Sequence, residues 1–140
     1  MDFNITPYKP GRPDVTLPSK EMFLLLKEEG IRKMVGDHYD LIRESKINGL
    51  FPKNPIAFEK AKEHSADFFI QICGGPMNFN KNRGRPMLFQ RHLPHKITAE
   101  ARKEWLACYA QVLSKLDLPE EVLVSFWNYL DVFSIWMVNS

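Results

Sequence analysis

Apolar residues in long stretches of this chain recur at intervals of three and four, the spacing that places them on one face of a helix. Ile31, Val35, Tyr39 and Ile42 follow this spacing, and no stretch alternates between apolar and polar residues as a half-buried strand would. Helices that carry a single apolar face must bury it against one another. We therefore expect an all-α fold.

Prolines and glycines divide the chain. Four prolines lie within residues 1–18, and each fixes its own φ and pushes the preceding residue towards extended geometry. Residues 1–18 are therefore predicted to form an extended arm, and residues 19–140 a single domain. Within that domain, helices are predicted over residues 19–30, 31–45 and 54–73, over a short run at 87–93, and onward from residues 98 and 119.

The ends of these helices are predicted from residue types that cap or interrupt a helix. Ser19 is the expected cap of the first helix, and Gly30 is its expected end. Asn54 followed by Pro55 is typical of a cap and first helical residue, and Thr98 is a similar cap. Residues 74–86 are rich in Pro, Gly and Asn and predict a loop without a helix.

Charge and composition exclude several classes of protein. The chain has 19 basic and 17 acidic residues, whereas a nucleic-acid-binding domain of this size has a much larger basic excess on one face. No apolar run approaches the roughly 18 residues of a membrane span, and the first residues lack the pattern of a signal peptide. We expect a cytoplasmic protein with no membrane span, with Cys73 and Cys108 as buried free thiols. Its ten phenylalanines indicate a pocket for a large bound group.

The segment that carries chemistry runs from Arg91 to His95. His92 ends the short predicted helix among apolar neighbours, and a neutral imidazole there could donate a nitrogen lone pair to a metal. Arg91 beside it could pair with a carboxylate of a cofactor such as a haem propionate. The residues leave two alternatives open, a partly exposed loop histidine and a zinc site that includes His95, although no nearby Cys or carboxylate completes a set of four zinc ligands.

The sequence resembles the group II truncated haemoglobins, also called two-over-two globins, over residues 31–139. The matching positions keep the family's spacing from the Gly-Gly-Pro to the histidine and on to the tryptophan. They are Tyr39, Phe51, Gly74-Gly75-Pro76, Gly84-Arg85-Pro86-Met87-Leu88, Arg91-His92-Leu93-Pro94, Ile97-Thr98 and Trp105. The resemblance implies a globin-like helical sandwich, here with a short proximal helix and the N-terminal arm as an extension.

The resemblance also implies a cofactor site. It makes His92 the proximal ligand of the iron of haem b (Fe-protoporphyrin IX), and it places Tyr39, Ser65 and Trp105 on the distal side as hydrogen-bond donors. Core packing, with each polar tip bonded to backbone, is the alternative explanation of Tyr39 and Trp105. The remaining residues expected to contact the cofactor are Phe51, Ala61, Phe68, Phe69, Leu88, Arg91 and Ile97.

The function implied by this resemblance is reversible binding of oxygen, with carbon monoxide and nitric oxide as further ligands, at a pentacoordinate haem iron. An alternative is a haem enzyme that acts on peroxide or detoxifies nitric oxide with electrons from an unidentified reductase. A third possibility is a helical interaction module that binds no haem. The protein is expected to be a monomer or a homodimer.

Overall fold

In a computed structural model of the chain, which describes residues 1–140 apart from the side chain of Phe89, the backbone forms six α-helices and one 3-10 turn. The helices are α1 (Glu21–Arg43), α2 (Pro55–Ile72), α3 (Asn78–Arg83), α4 (Leu88–His92), α5 (Ala99–Leu113) and α6 (Glu120–Met137), and the 3-10 turn is Asn48–Leu50. The described residues include no strand, so the all-α prediction is confirmed.

The predicted caps start the later helices. The Asn54 side chain accepts hydrogen bonds from the backbone N–H groups of Ile56 and Ala57, and Pro55 is the first residue of α2. The Thr98 hydroxyl accepts from the N–H of Ala101 at 3.0 Å and so caps α5. These two predicted starts are confirmed, because each side chain satisfies N–H groups that a first helical turn leaves without a partner.

The predicted division between the first two helices exists, but its predicted position is wrong. Residues 21–43, α1, are two helical segments joined at a kink at Lys27, whose φ of 60° and ψ of −178° are not helical. Gly30 lies inside the helix, where a Cβ atom on it would come within 2.8 Å of the Leu26 Cβ. The glycine therefore permits a close contact next to the break instead of ending the helix. Ser19 does not cap α1 from the N-cap position, which is Lys20, although its hydroxyl accepts from the N–H of Glu21 at 3.2 Å.

The predicted loop at residues 74–86 contains a short helix, α3, so this prediction is also wrong in part. Two hydrogen bonds with Gln71 of α2 hold its first turn: Gln71 Nε2 donates to Asn80 Oδ1, and the Asn80 N–H donates to Gln71 Oε1, both at 3.1 Å. Phe79 is buried on the same helix. The local sequence lacks the apolar spacing that predicts a helix. Helix α3 was missed because the contacts that hold it come from elsewhere in the fold.

Four long helices form the body of the protein. Helix α1 packs on α2, α5 packs on α6, and α1 also contacts α5 and α6. The residues predicted to form one face of α1, namely Ile31, Val35, Tyr39 and Ile42, are all buried. The described residues include no helix long and apolar enough to cross a membrane.

Residues 1–18, predicted as an extended arm, form no helix and lie against α6. The indole N–H of Trp127 donates to the Asn4 carbonyl at 2.8 Å, and that of Trp136 donates to the Pro13 carbonyl at 2.7 Å. The Thr6 hydroxyl donates to Asp131 at 2.6 Å. The arm is thus attached to the body by hydrogen bonds at several points along its length.

Candidate functional site

A cavity of about 480 Å³ lies between the helical body and the short helix α4. Its volume is within the range of roughly 300–1,000 Å³ that small-molecule and cofactor sites have. All the site residues expected from the sequence line it: Tyr39, Phe51, Ala61, Ser65, Phe68, Phe69, Leu88, Arg91, His92, Ile97 and Trp105. The fold thus brings residues from α1, α2, α4, α5 and two connecting segments to one place, while their roles there stay predictions.

The imidazole of His92 is held in one tautomer. Its Nδ1 lies 2.6 Å from the backbone carbonyl of Leu88, and because a carbonyl can only accept, Nδ1 carries the hydrogen. Nε2 therefore has the lone pair that could bind a metal. Burial lowers the pKa of His92, and the positive charge of a protonated His95 would lower it further, whereas the bond to Leu88 raises it. The net effect favours the neutral ring that a metal ligand must have.

Arg91, the residue expected to pair with a haem propionate, uses most of its guanidinium on the preceding segment. Its Nε donates to the Pro86 carbonyl at 2.7 Å, and its Nη2 donates to the carbonyls of Arg83 and Arg85 at 2.8 and 3.0 Å. The guanidinium also lies 5.5 Å from the ring centre of Phe79. Within the part of the chain that the structure describes, only Nη1 has no hydrogen-bond partner and could reach a carboxylate.

Tyr39 presents a phenol that stays protonated. Its hydroxyl donates to the Ala61 carbonyl at 3.3 Å, which is the backbone bond that core packing predicts. Burial raises the pKa of Tyr39 to about 12, so the group is a hydrogen-bond donor at any physiological pH. The ring is fixed by edge contacts with Phe51 and Phe58 at 5.5 and 5.4 Å between ring centres.

Trp105 differs from the other two tryptophans of the chain. The indole N–H groups of Trp127 and Trp136 both donate to carbonyls of the N-terminal arm. The indole N–H of Trp105, which lines the cavity, donates to none of the groups that the structure describes. A half-buried N–H with no partner beside a cavity is a donor available to a ligand there.

His38 binds the backbone of Trp105, and this contact was not predicted from the sequence. Its Nε2 donates to the Trp105 backbone carbonyl at 3.1 Å, and its ring stacks on Tyr109 at 3.6 Å between ring centres. The side chain is fully buried, and burial lowers its pKa to about 3. A signal was present, because His38 follows Met34 by four residues on the buried face of α1.

Several further side chains line the cavity without having been predicted for it. Phe79 was missed because α3 was not expected, and Phe133 and Met137 of α6 were not among the residues expected to contact the cofactor. His64 lies at the cavity too, where its Nδ1 accepts a hydrogen bond from Arg83 Nη1 at 2.9 Å. Aromatic and aliphatic groups therefore make up most of the lining.

These residues fit a haem. A macrocycle needs an apolar cavity with a neutral imidazole on its wall, and His92 with its Nδ1–H already bonded supplies that ligand. The zinc alternative is less well supported, because no third His, Cys, Asp or Glu among the described side chains joins His92 and His95 in a group that could hold a metal ion.

Comparisons with known proteins agree with the resemblance read from the sequence. The sequence profile of a family described as bacterial-like globins matches residues 26–139. The group 2 truncated haemoglobin YjbI of Bacillus subtilis is 29% identical over 112 residues, which are 80% of this chain and 83% of that protein.

Solved structures are similar as well. The fold matches phosphate-bound Hell's gate globin IV with a TM-score of 0.87 and 39% identity, over 91% of this chain and 80% of that one. It also matches a truncated oxygen-avid haemoglobin of Bacillus subtilis with a TM-score of 0.77 and 26% identity, over 84% of this chain and 98% of that one.

Proposed function

This chain belongs to the bacterial-like globin family, and on that premise we propose that it holds haem b through His92 and binds oxygen reversibly beside Tyr39, Ser65 and Trp105. The resemblance to group II truncated haemoglobins and the globin-like two-over-two fold are confirmed by the relatives and the solved structures. Membership of the family implies haem-based ligand binding.

One observation carries the proposal. A single cavity contains an imidazole whose Nδ1–H is already bonded to a carbonyl, and also an indole N–H that has no partner among the described groups. Haem, when bound, supplies an iron that takes diatomic gases such as O₂, CO and NO. His92 would hold that iron, Trp105 would donate its free N–H to the gas, and Tyr39 would donate by exchanging its bond to the Ala61 carbonyl for one to the gas. Such a bond is worth about 1.5–3 kcal/mol when the acceptor is charged.

The apolar lining would hold the macrocycle. Leu88, Phe51, Phe68, Phe69 and Ile97 expose hydrocarbon to the cavity, and their contact with a flat apolar ring removes surface from water. Ala61 has only a methyl group where many globins place a distal histidine, so less side chain obstructs the approach of a ligand. Arg91 would reach a propionate only through its Nη1 atom, because its other donors bind backbone carbonyls.

The cavity residues favour gas binding over the enzymatic alternative. Peroxide cleavage requires a group that takes and returns a proton, and a phenol whose pKa is raised to about 12 is a poor base. His64 is the nearest imidazole in sequence to Ser65, and its Nδ1 is already the acceptor of an Arg83 hydrogen bond. The Bacillus subtilis haemoglobin described as oxygen-avid supports oxygen as the ligand. A cytoplasmic location, an external reductase, and a monomeric or homodimeric state stay predictions.

Absorption spectra test the proposal. The wild-type protein with haem is expected to show a Soret band that shifts when the reduced form takes up carbon monoxide. His92→Ala is expected to abolish stable haem binding, because the cavity then loses the imidazole that holds the iron, while His95→Ala keeps the wild-type spectrum. A normal ferrous spectrum in His92→Ala and its loss in His95→Ala would assign the ligand to His95. A colourless wild-type protein after addition of haem would overturn the proposal.

A further inference from the structure

Helix α4 is too short to hold its own position. It has five residues, Leu88–His92, and a helix of that length is far below the roughly 12–15 residues at which isolated helices become even marginally stable. It follows Met87, whose φ of 41° is in the left-handed region, and it packs mainly against α6. The position of His92 therefore depends on contacts from other parts of the chain.

Asn139 supplies the most concentrated set of these contacts. Its Nδ2 donates to the His95 carbonyl at 2.8 Å and to the His92 carbonyl at 3.3 Å. Its Oδ1 accepts from the N–H of Ile97 at 2.9 Å, and its own backbone N–H donates to the Ile97 carbonyl at 2.9 Å. The amide thus uses its acceptor and its donor group on one segment, the six residues from His92 to Ile97.

We propose that Asn139 is the positioning residue of the proximal ligand, an inference that rests on the proposed role of His92. The carbonyl of His92 belongs to the last residue of α4, and that of His95, whose N–H donates to the His92 carbonyl at 2.9 Å, lies in the turn that follows. By binding them, the amide fixes the end of the helix that carries the imidazole. Arg91 holds the other side through the carbonyls of Arg83, Arg85 and Pro86.

The amide group suits this task better than a charged side chain would. The two carbonyls need a donor and the Ile97 N–H needs an acceptor, and Asn provides both in one planar group. An aspartate has the same shape but could only accept. It would keep the bond from Ile97 and face the carbonyls of His92 and His95 with negative charge.

The test compares Asn139→Ala and Asn139→Asp with the wild-type holoprotein. Asn54→Ala is the matched control, since Asn54 also bonds backbone groups but caps α2 away from α4. The measurements are the rate of haem transfer to an excess of an acceptor apoglobin, the iron–histidine stretching band of the reduced protein in resonance Raman spectra, and the thermal midpoint.

Both Asn139 variants are expected to lose haem about tenfold faster or more, because each loses the Nδ2 bonds that restrain α4. Their iron–histidine band is expected to shift or broaden. Asn54→Ala is expected to lower the thermal midpoint and leave the band and the haem-loss rate as in the wild type. If Asn139→Ala does not fold, the same comparison with Asn139→Asp decides the question.

An unchanged band and haem-loss rate in the Asn139 variants would overturn the inference. So would a lower thermal midpoint with an unchanged band, since that result describes a purely structural role. His92→Ala separates these outcomes from a failure of the proposed function. If the wild type has an iron–histidine band that His92→Ala also keeps, then His92 is not the ligand, and both the proposed function and the positioning role fall.

Discussion

The side chains of α1, α2 and α5 that face the cavity, which we call the body wall, are positioned differently from His92 on α4. The body wall stands on helices of 15 to 23 residues whose opposite faces form the core, with Ile31, Val35 and Leu106 fully buried. Helix α4 has five residues, and side-chain hydrogen bonds tie it to its surroundings: Asn139 bonds the carbonyl of His92, and Arg91 of α4 bonds carbonyls of the preceding segment.

Because of this difference, we expect the free energy of unfolding and the retention of haem to depend on different parts of the protein. Burial of apolar surface is the dominant favourable contribution to folding, so the body wall is expected to determine the free energy of unfolding. A few hydrogen bonds of about 1 kcal/mol each position α4, so changes there are expected to affect haem retention more than folding. The three predictions that follow test this separation.

The largest effect on folding is expected from Arg102 in α5. Its buried guanidinium donates to Asp131 Oδ1 at 2.7 Å, to Ser134 Oγ at 2.9 Å and to the Thr6 carbonyl at 2.7 Å. Arg102→Ala leaves the buried Asp131 carboxylate without its cation. Removing one partner of a buried pair costs about 3–5 kcal/mol. We expect urea denaturation to show a loss of this size in the free energy of unfolding.

The control for Arg102 is Lys33→Ala, which breaks an ion pair with Asp37 between two well-exposed side chains. Exposed pairs contribute little, so this variant is expected to unfold almost as the wild type does. Equal losses in both variants would mean that the buried network in the body wall does not carry the stability assigned to it.

A smaller effect, dependent on pH, is expected from His38. Its pKa is lowered to about 3 in the native state, chiefly by burial, against about 6.5 in the unfolded chain. Between these values the unfolded imidazole binds a proton that the native one does not, so acid stabilises the unfolded state. Lowering the pH from 8 to 5 is therefore expected to reduce the free energy of unfolding by about 2 kcal/mol through this residue.

The measurement is urea denaturation of the wild type and of His38→Leu at the two pH values. The leucine variant has a different stability at pH 8, but the loss between pH 8 and pH 5 is expected to be about 2 kcal/mol smaller than in the wild type. The same loss in both proteins would show that the native His38 is not held in its neutral form.

The smallest of the three effects concerns ligand kinetics. Tyr39→Phe and Trp105→Phe each remove one donor from the body wall and keep an aromatic ring in place. Oxygen dissociation is expected to accelerate about tenfold or more in either variant, from the lost hydrogen bond. Stopped-flow displacement of oxygen measures the rates, and resonance Raman spectra are expected to show the wild-type iron–histidine band. Unchanged rates in both variants would remove the support for a distal role. A changed band would contradict the separation between the body wall and α4.

Much of the body could be predicted from local sequence. The spacing of apolar residues identified the buried face of α1, and Asn54 and Thr98 marked the starts of α2 and α5. These predictions work because a helical period and a cap involve residues at most four positions apart. The resemblance to a known family added the set of cavity residues, which periodicity alone would not have assembled.

Other features lay outside such patterns. The break in α1 falls at Lys27, a residue type with no preference for positive φ, and not at Gly30. Helix α3 forms where the sequence is typical of a loop, because Gln71 binds Asn80 and the ring of Phe79 is buried. In α3, contacts with the rest of the fold outweigh the local preference of the chain.

The sequence by itself determined the helical class and most helix boundaries, because these depend on residue types and spacings within a few positions, and its resemblance to a family singled out His92 among the histidines that line the cavity. Tertiary structure alone decided how that histidine is held and what lies behind the body wall. Asn139 binds a carbonyl 47 residues away, and His38 binds one 67 residues away. Such bonds form only when packing brings distant backbone groups together, and no local pattern in the chain encodes that proximity.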